Sequence, residues 1–300
     1  MDRVLDAAAT SARLPWAALV REIEAVLLDA SVQVPGRLVQ PLAGGGSLFV
    51  MPALDARVAI TKLITFTPAN AGSGRPTIQG DVVVFDVATG ARRLVLDGPT
   101  VTARRTAAVS LLAAQRLAPA KSGPLLIVGA GAQGRSHLEA FASGLGVQEV
   151  HVASRTPAGA EALAAHARSL GLRARVVADP NAALQDCPLV VTCTPASQVV
   201  LSALPRPDAF IAAVGAFTPE MVELSPGFCR HCEERGSVLL DTPDAVHEAG
   251  DLVQAGVDLD ALPTLDEVVA QEADPSRGPV LFKSCGWAGW DLAAARCALL

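Results

Sequence analysis

Two groups of residues have the types and spacing for chemistry. The first lies in LLIVGAGAQGRSHLEAF, where Gly129, Gly131 and Gly134 form G-x-G-x-x-G between an apolar run and a helical one. One glycine permits the tight turn, one lets a diphosphate approach the backbone, and one lets helix and strand pack closely. The helix start adds unpaired N–H groups and a partial positive charge for phosphate. Gly129, Ala130, Gly131, Gln133 and Gly134 are therefore expected to cradle a dinucleotide. The second group is cationic. In VAITKLITF, a period of two places Val58, Ile60, Lys62, Ile64 and Phe66 on one face, so Lys62 stands in an apolar stripe. An ammonium there must snorkel to solvent, pair with a carboxylate or face a cavity. GPTVTARRTAAVSLLAA puts Arg104 and Arg105 in the first turns of a helix, where the macrodipole disfavours cations by ~0.3–1 kcal/mol unless an anion binds there. With Arg37 of VPGRLV, Lys62 and Arg105 could form a carboxylate cage, a guanidinium clamping the anion through two hydrogen bonds.

The kind of dinucleotide is legible one strand later. Folds that prefer NAD place Asp or Glu at the end of the second strand, where it accepts from the ribose 2′-hydroxyl. Here HVASRTPAG ends on Ser154, Arg155 and Thr156, with no acid. Arg155 can pair with a 2′-phosphate and stack on adenine, and the two hydroxyls can donate to it. NADPH is the expected cofactor, with NADH a weaker alternative. Thr194, which closes the run LVVTCT, is a further cofactor-binding candidate.

These residues need elements to hold them. Residues 1–100 suggest a helix near 15–30, then strands around 48–51, 58–66, 78–87 and 92–97. FDVATGARRLVL reads as a hairpin across Thr89-Gly90, which makes this an antiparallel α+β region. A helix over about Pro99–Leu117 leads to LAPAKSGP, a boundary. From Pro124 the runs LLIVGA, EVHVAS, RARVV, LVVTCT, AFIAAVGA and SVLLD alternate with Ala-rich helical stretches. Apolar strands alternating with helices imply a parallel sheet covered on both faces, a Rossmann-type doubly wound α/β fold. WAGWDLAAARCALL closes the chain as a helix.

Composition narrows the function classes. Three hundred residues with 51% hydrophobic content can bury a large core, as two domains. No apolar run reaches the ~18–20 residues of a membrane span. A net charge of −6 without charged blocks gives no reason to expect nucleic acid. The N-terminal stretch lacks a basic-then-apolar leader pattern, so a cytoplasmic protein is expected. The six cysteines, at 187, 193, 229, 232, 285 and 297, are expected to be free thiols. Cys229, His231 and Cys232 lack a second Cys/His pair at zinc-like spacing, so no metal is expected.

In order along the chain, MP (51–52), Lys62, GRPTIQG (74–80), TG (89–90), RTAA (105–108), GAGAQG (129–134), GAFTPEMVEL (215–224), EAGDL (248–252) and FKSCG (282–286) are similar to motifs of a known family. The sequence resembles the ornithine cyclodeaminase/mu-crystallin family over roughly residues 35–290. The resemblance implies a Rossmann domain over 119–286. It also implies a split substrate-binding and dimerisation domain over 1–118 with 287–300, and a homodimer. It implies that Arg37, Lys62 and Arg105 hold a substrate carboxylate with Thr77 in the same pocket. FKSCG would close near the nicotinamide, which makes Lys283 and Ser284 candidates too. Members that release or add ammonia carry G-[GA]-D-x-P, whose Asp acts on water or the amine, as attack on an iminium carbon requires a proton acceptor. Here the loop reads G-A-F-T-P, and Phe217 occupies the acid's position. A phenyl ring excludes water and packs against a flat ring, which suits hydride transfer to a closed cyclic imine. The expected activity is NADPH-dependent reduction of Δ1-pyrroline-2-carboxylate to L-proline, or of Δ1-piperideine-2-carboxylate to L-pipecolate. The alternatives are a cyclodeaminase, an alanine dehydrogenase-type enzyme, or a non-catalytic NADPH-dependent binding protein.

Overall fold

A computed structural model describes residues 3–70, 73–195, 197–271 and 278–300. In chain order the first elements are β1 (Arg3–Val4), α1 (Ala7–Ala12), α2 (Trp16–Leu28), β2 (Leu38–Leu42) and β3 (Gly46–Leu54). They are followed by β4 (Val58–Phe66), β5 (Ile78–Asp86), β6 (Arg92–Asp97) and the long α3 (Gly98–Leu117). Strands and helices then alternate through β7 (Leu125–Val128), α4 (Ala132–Leu145), β8 (Glu149–Ala153), α5 (Pro157–Ser169), β9 (Arg173–Val176), α6 (Pro180–Ala183) and β10 (Leu189–Thr192). Next come β11 (Ser197–Leu201), β12 (Phe210–Ala213), β13 (Val222–Leu224), α7 (Pro226–Arg235) and β14 (Ser237–Leu240). The chain closes with α8 (Gly250–Ala255), α9 (Leu265–Ala270), β15 (Val280–Lys283) and α10 (Ala288–Leu299). It divides into two compact units, residues 1–105 with 287–300 and residues 106–286.

The first unit is built on a six-stranded sheet in the order β1-β6-β5-β4-β3-β2. The region expected to be purely antiparallel is mixed, because the short β1 joins β6 in parallel. The β5–β6 turn is fixed by Asp86, whose carboxylate accepts from the Thr89 N–H at 2.9 Å and its hydroxyl at 2.7 Å. Gly90 completes that turn at φ +68°, where a side chain would be strained. In β4 the period of two is realised: Val58, Ile60, Lys62 and Ile64 are buried while Leu63 faces out. Helix α10 covers this face, lying against β3, β4, β5 and α2. Every residue of α10 from Ala288 to Ala298 is buried, as expected of a helix that is apolar on nearly all sides. Strand β2, whose residues are all exposed, was not anticipated; Pro41 lowers its strand signal, and an edge is where a strand proline is tolerated.

The second unit carries a seven-stranded sheet, β14-β15-β12-β10-β7-β8-β9, and every pairing in it is parallel. β7, β10, β12 and β15 are each only four residues long and wholly buried, the pattern of strands covered on both faces. β15 escaped the sequence reading because VLFK, between Pro279 and Ser284, is too short to show a period. A small parallel pair, β11–β13, stands apart from the main sheet. None of the described helices is long and apolar enough to cross a membrane. All six cysteines are free thiols.

His137 of α4 shows how tightly the second unit is closed. Its ring is fully buried, Nδ1–H donating to the Gln133 carbonyl at 2.8 Å and Nε2 accepting from the Ser110 hydroxyl at 3.0 Å. Burial disfavours the imidazolium and holds this histidine down to about 4. The unfolded chain takes up that proton near the ordinary 6.5, so the folded state is fully favoured above this value and loses stability as pH falls towards about 4. Urea unfolding between pH 7 and 4 is expected to lose up to about 3 kcal/mol from this group. In His137→Gln the slope of stability against pH should be correspondingly shallower.

Candidate active site

Lys62 sits at the middle of β4, between Met51 of β3 and Val82 of β5 in register, and is 1% exposed. Its partner is a residue the sequence reading did not weigh. Asp291, one turn into α10, places Oδ2 2.7 Å from Lys62 Nζ and Oδ1 3.4 Å from Arg105 Nε. Asp291 is fully buried and Arg105 nearly so. Neither Asp291 oxygen nor Arg105 Nε makes an aligned hydrogen bond to any described residue. Burial pulls Lys62 down, Asp291 pulls it back up, and the charges of Arg105 and half-buried Arg37 push it down again, leaving it at about 8. Arg105 and Arg37 thus both act on Lys62.

The neighbouring arginine has a different task. Arg104 donates through two nitrogens to the Leu14 carbonyl, at 3.0 and 2.8 Å, and lies 3.9 Å over the Trp16 ring. The start of α3 is not a free anion site either. Asp97 accepts from the Thr100 N–H at 2.8 Å, the work of an N-cap, so Arg105 contributes through its side chain alone. Thr77 is half-buried just before β5, and its carbonyl accepts from the Thr67 N–H at 2.8 Å. No described bond joins its side chain to the three cations.

In the second unit the glycine motif has the geometry its spacing predicts. Gly129 turns at φ +118°, and a Cβ there would meet the Cys193 carbonyl oxygen at 2.7 Å. A Cβ on Gly134 would collide with the Gly129 carbonyl, whereas one on Gly131 would meet nothing within 4 Å. The glycines therefore supply the turn, the helix–strand contact and an open approach to the backbone. Gly131 is the N-cap of α4, no side chain caps that helix, and its first turn holds no acid. Ala130 and Gln133 flank the same turn. This cradle fits a dinucleotide diphosphate. At the end of β8, Ser154 is half-buried while Arg155 and Thr156 are exposed. Thr156 is the N-cap of α5, yet its hydroxyl makes no capping bond.

Thr194, Lys283 and Ser284 are engaged within the unit. The Thr194 N–H and hydroxyl both donate to Glu223 Oε1, at 2.6 and 2.8 Å. Glu223 Oε2 accepts from the Thr192 hydroxyl at 3.0 Å and the Gly215 N–H at 2.7 Å. One buried carboxylate thereby ties the loop after β10 to the loop after β12. Burial pushes Glu223 up, against the pull of Lys283 and the Thr194 N–H. The N–H groups of Glu223 and Leu224 donate to Asp251 Oδ1, at 2.5 and 2.9 Å, and Lys283 Nζ donates to Asp251 Oδ2 at 2.6 Å. Burial works against the Lys283 ammonium, but Asp251, with Cys285 and Glu223, together outweigh it and the lysine ends above its ordinary value. The Ser284 hydroxyl donates to Asp241 Oδ2 at 2.8 Å, beside the Gly286 N–H at 3.0 Å. Phe217 is half-buried in the loop beyond β12, two residues after the Gly215 that Glu223 holds.

Comparison with known proteins places this geometry. The family model described as the ornithine cyclodeaminase/mu-crystallin family matches residues 3–298. The chain belongs to that family. It is 38% identical to Delta(1)-pyrroline-2-carboxylate reductase 2 of Burkholderia ambifaria, over 98% of this chain and 94% of that protein. It is 35% identical to the ketimine reductase mu-crystallin of Mus musculus, over 89% of this chain and 85% of that one. In fold it is similar to the Thermococcus litoralis Delta(1)-pyrroline-2-carboxylate reductase solved in complex with NADH and L-proline. The TM-score is 0.90 at 24% identity, covering 99% of this chain and 96% of that one.

For this member of the ornithine cyclodeaminase/mu-crystallin family, Glu223 is the second residue whose importance the sequence understated. It stood out only as a carboxylate four places beyond Pro219, and its donors come from the ends of other strands. Glu223→Gln would turn an NH2 group towards donors that need an acceptor. It is expected to cost about 1–3 kcal/mol in thermal unfolding. Titration with dinucleotide should show weaker binding, because both loops at the strand ends lose their common anchor.

Proposed function

We propose that this protein is an NADPH-dependent reductase of cyclic ketimines that carry a carboxylate. Δ1-pyrroline-2-carboxylate would yield L-proline, and Δ1-piperideine-2-carboxylate would yield L-pipecolate. The observation that carries this reading is the buried pair of Lys62 and Arg105 on the single carboxylate of Asp291. Its cations outnumber that carboxylate, and the surplus suits a substrate anion. The sequence relatives named as reductases of pyrroline-2-carboxylate and as a ketimine reductase support the same class.

In the proposed reaction, Arg37 and Arg105 clamp the substrate carboxylate, with Thr77 lining the same pocket. Lys62, charged below about 8, binds that carboxylate or stands near the imine nitrogen and favours its protonated form. When bound, the reduced nicotinamide supplies hydride chemistry. The imine carbon gains a C–H bond, the C=N double bond becomes a single bond, and its electron pair stays on the protonated nitrogen. The cofactor would lie on Gly129, Ala130, Gly131, Gln133 and Gly134, with Thr194, Lys283 and Ser284 supporting the loops at the strand ends. Arg155, flanked by Ser154 and Thr156, would take the 2′-phosphate of NADPH. Phe217 favours reduction over ammonia chemistry, since a phenyl ring excludes water and shuttles no proton. We further infer a cytoplasmic homodimer, supported by the exposed apolar residues Leu38, Val39 and Leu42 on edge strand β2.

Purified protein with NADPH and pyrroline-2-carboxylate is expected to lose the reduced-nicotinamide absorbance. No oxidation of either NADPH or NADH would overturn the reading, and ammonia release from ornithine would overturn the role given to Phe217. Arg155→Ala should lower the preference for NADPH over NADH by about tenfold or more, the effect of losing one charge-assisted contact. Phe217→Asp should bring no gain in imine reduction, measured by the same absorbance.

A further inference from the structure

We propose that Asp291 is a positioning residue, fixing the Lys62 ammonium and the Arg105 guanidinium as a preset pair of donors for the substrate's carboxylate end. The inference rests on the reductase reading for the identity of that anion, but not for the Lys62–Asp291 pair itself.

Three observations converge on it. Asp291 reaches both cations, at 2.7 Å to Lys62 and 3.4 Å to Arg105, from a buried helix whose other charged residue, Arg296, is paired with Asp29 and Asp55. All three side chains are removed from water, which makes the set a poor device for stability, because desolvation offsets most of the attraction. The set is also left incomplete: Arg105 Nε and both Asp291 oxygens are without an aligned hydrogen bond among the described residues. A buried ion cluster optimised for folding would close those bonds. One that waits for an anion would leave a donor open, as Arg105 Nε is here.

The charges around Lys62 define what Asp291 does there. Arg105 faces it from α3, Arg37 from the segment before β2, and Asp291 from α10, while its register partners Met51 and Val82 on β3 and β5 carry no charge. Asp291 is the carboxylate that opposes burial and the two arginines. Without it, Lys62 would sit neutral beside two guanidinium groups and would give up its charge towards an imino acid.

The composition of the chain makes this directly measurable. Its three lysines are Lys62, Lys121 and Lys283, so side-chain 13C-lysine labelling yields three signals, with Lys62 assigned through Lys62→Arg. Titrated without substrate, Lys62 in the wild type should lose its proton near pH 8. In Asp291→Asn its midpoint should fall by about one pH unit or more, with Lys121 and Lys283 unmoved. The alkaline limb of kcat/KM for imine reduction should move down with it. Asp291→Glu keeps the charge but displaces it, so its Lys62 should titrate within about half a unit of wild type while KM for the imino acid rises about tenfold or more and kcat changes less. An unmoved Lys62 in Asp291→Asn, or an unchanged KM in Asp291→Glu, overturns the proposal. Should the asparagine variant fail to fold, the glutamate variant decides alone. Absence of imine reduction in the wild type would remove the reductase reading and leave the lysine titration to judge the pair by itself.

Discussion

The removal of charge from water is the constraint on which both units depend. Lys62 and Lys283 are each buried on a strand, and each has a single aspartate on a helix as its nearest anion, Asp291 at 2.7 Å and Asp251 at 2.6 Å. Either lysine without its aspartate would lose the partner that offsets its burial, and breaking such a buried pair costs about 3–5 kcal/mol. The two pairs nevertheless differ in completion. Lys283 donates a hydrogen bond to Asp251, whose other oxygen is filled by two backbone N–H groups, and the lysine ends above its ordinary value. Lys62 ends below its ordinary value, with a second and a third cation beside it. The closed network braces loops, and the open one is suited to a ligand.

That contrast explains how the second unit fixes the surface on which a dinucleotide would lie. A parallel sheet ends its strands at one edge, and the loops there have no ladder to hold them. Glu223 and Asp251 replace the missing ladder with side-chain and backbone bonds, so that the segments after β10 and β12 are fastened to β13 and, through Lys283, to β15. Gly215 is required at this junction because a Cβ would strike the Thr194 backbone. Phe217 lies two residues beyond that fastening.

What was legible in the sequence was local. A period of two revealed Lys62 on the apolar face of β4, and G-x-G-x-x-G between strand and helix revealed the cradle, because both patterns are set by neighbours in the chain. The partners were not legible. Asp291 lies in WAGWDLAAARCALL, where alanine on every side hides any amphipathic period. Its meaning depends on β4 and α3, far earlier in the chain. Asp251 in EAGDL and Glu223 in EMVEL likewise take their roles from strand ends they do not adjoin. Arg104 and Arg105 separate because adjacent helix positions point about 100° apart, one to Leu14 and Trp16 and the other to Asp291. β2 and β15 were missed because an exposed edge and a four-residue buried strand offer no alternation to detect.

The same distinction bears on the proposed chemistry. Ammonia release calls for a proton acceptor at the substrate; at the loop position beyond β12 where the family's acid would stand the chain has Phe217, Glu220 of that loop is exposed, and the buried acids Glu223 and Asp251 are already engaged. Glu223 accepts four hydrogen bonds, and Asp251 accepts three, one of them from a lysine. A carboxylate so occupied is a weak candidate for taking a proton from water, since protonation would release bonds that hold two loops in place. Imine reduction makes no such demand, because the substrate needs a hydride at carbon and a proton already on nitrogen. In the proposed reaction the cations beside Lys62 would orient the substrate's carboxylate, and Phe217 would carry no proton.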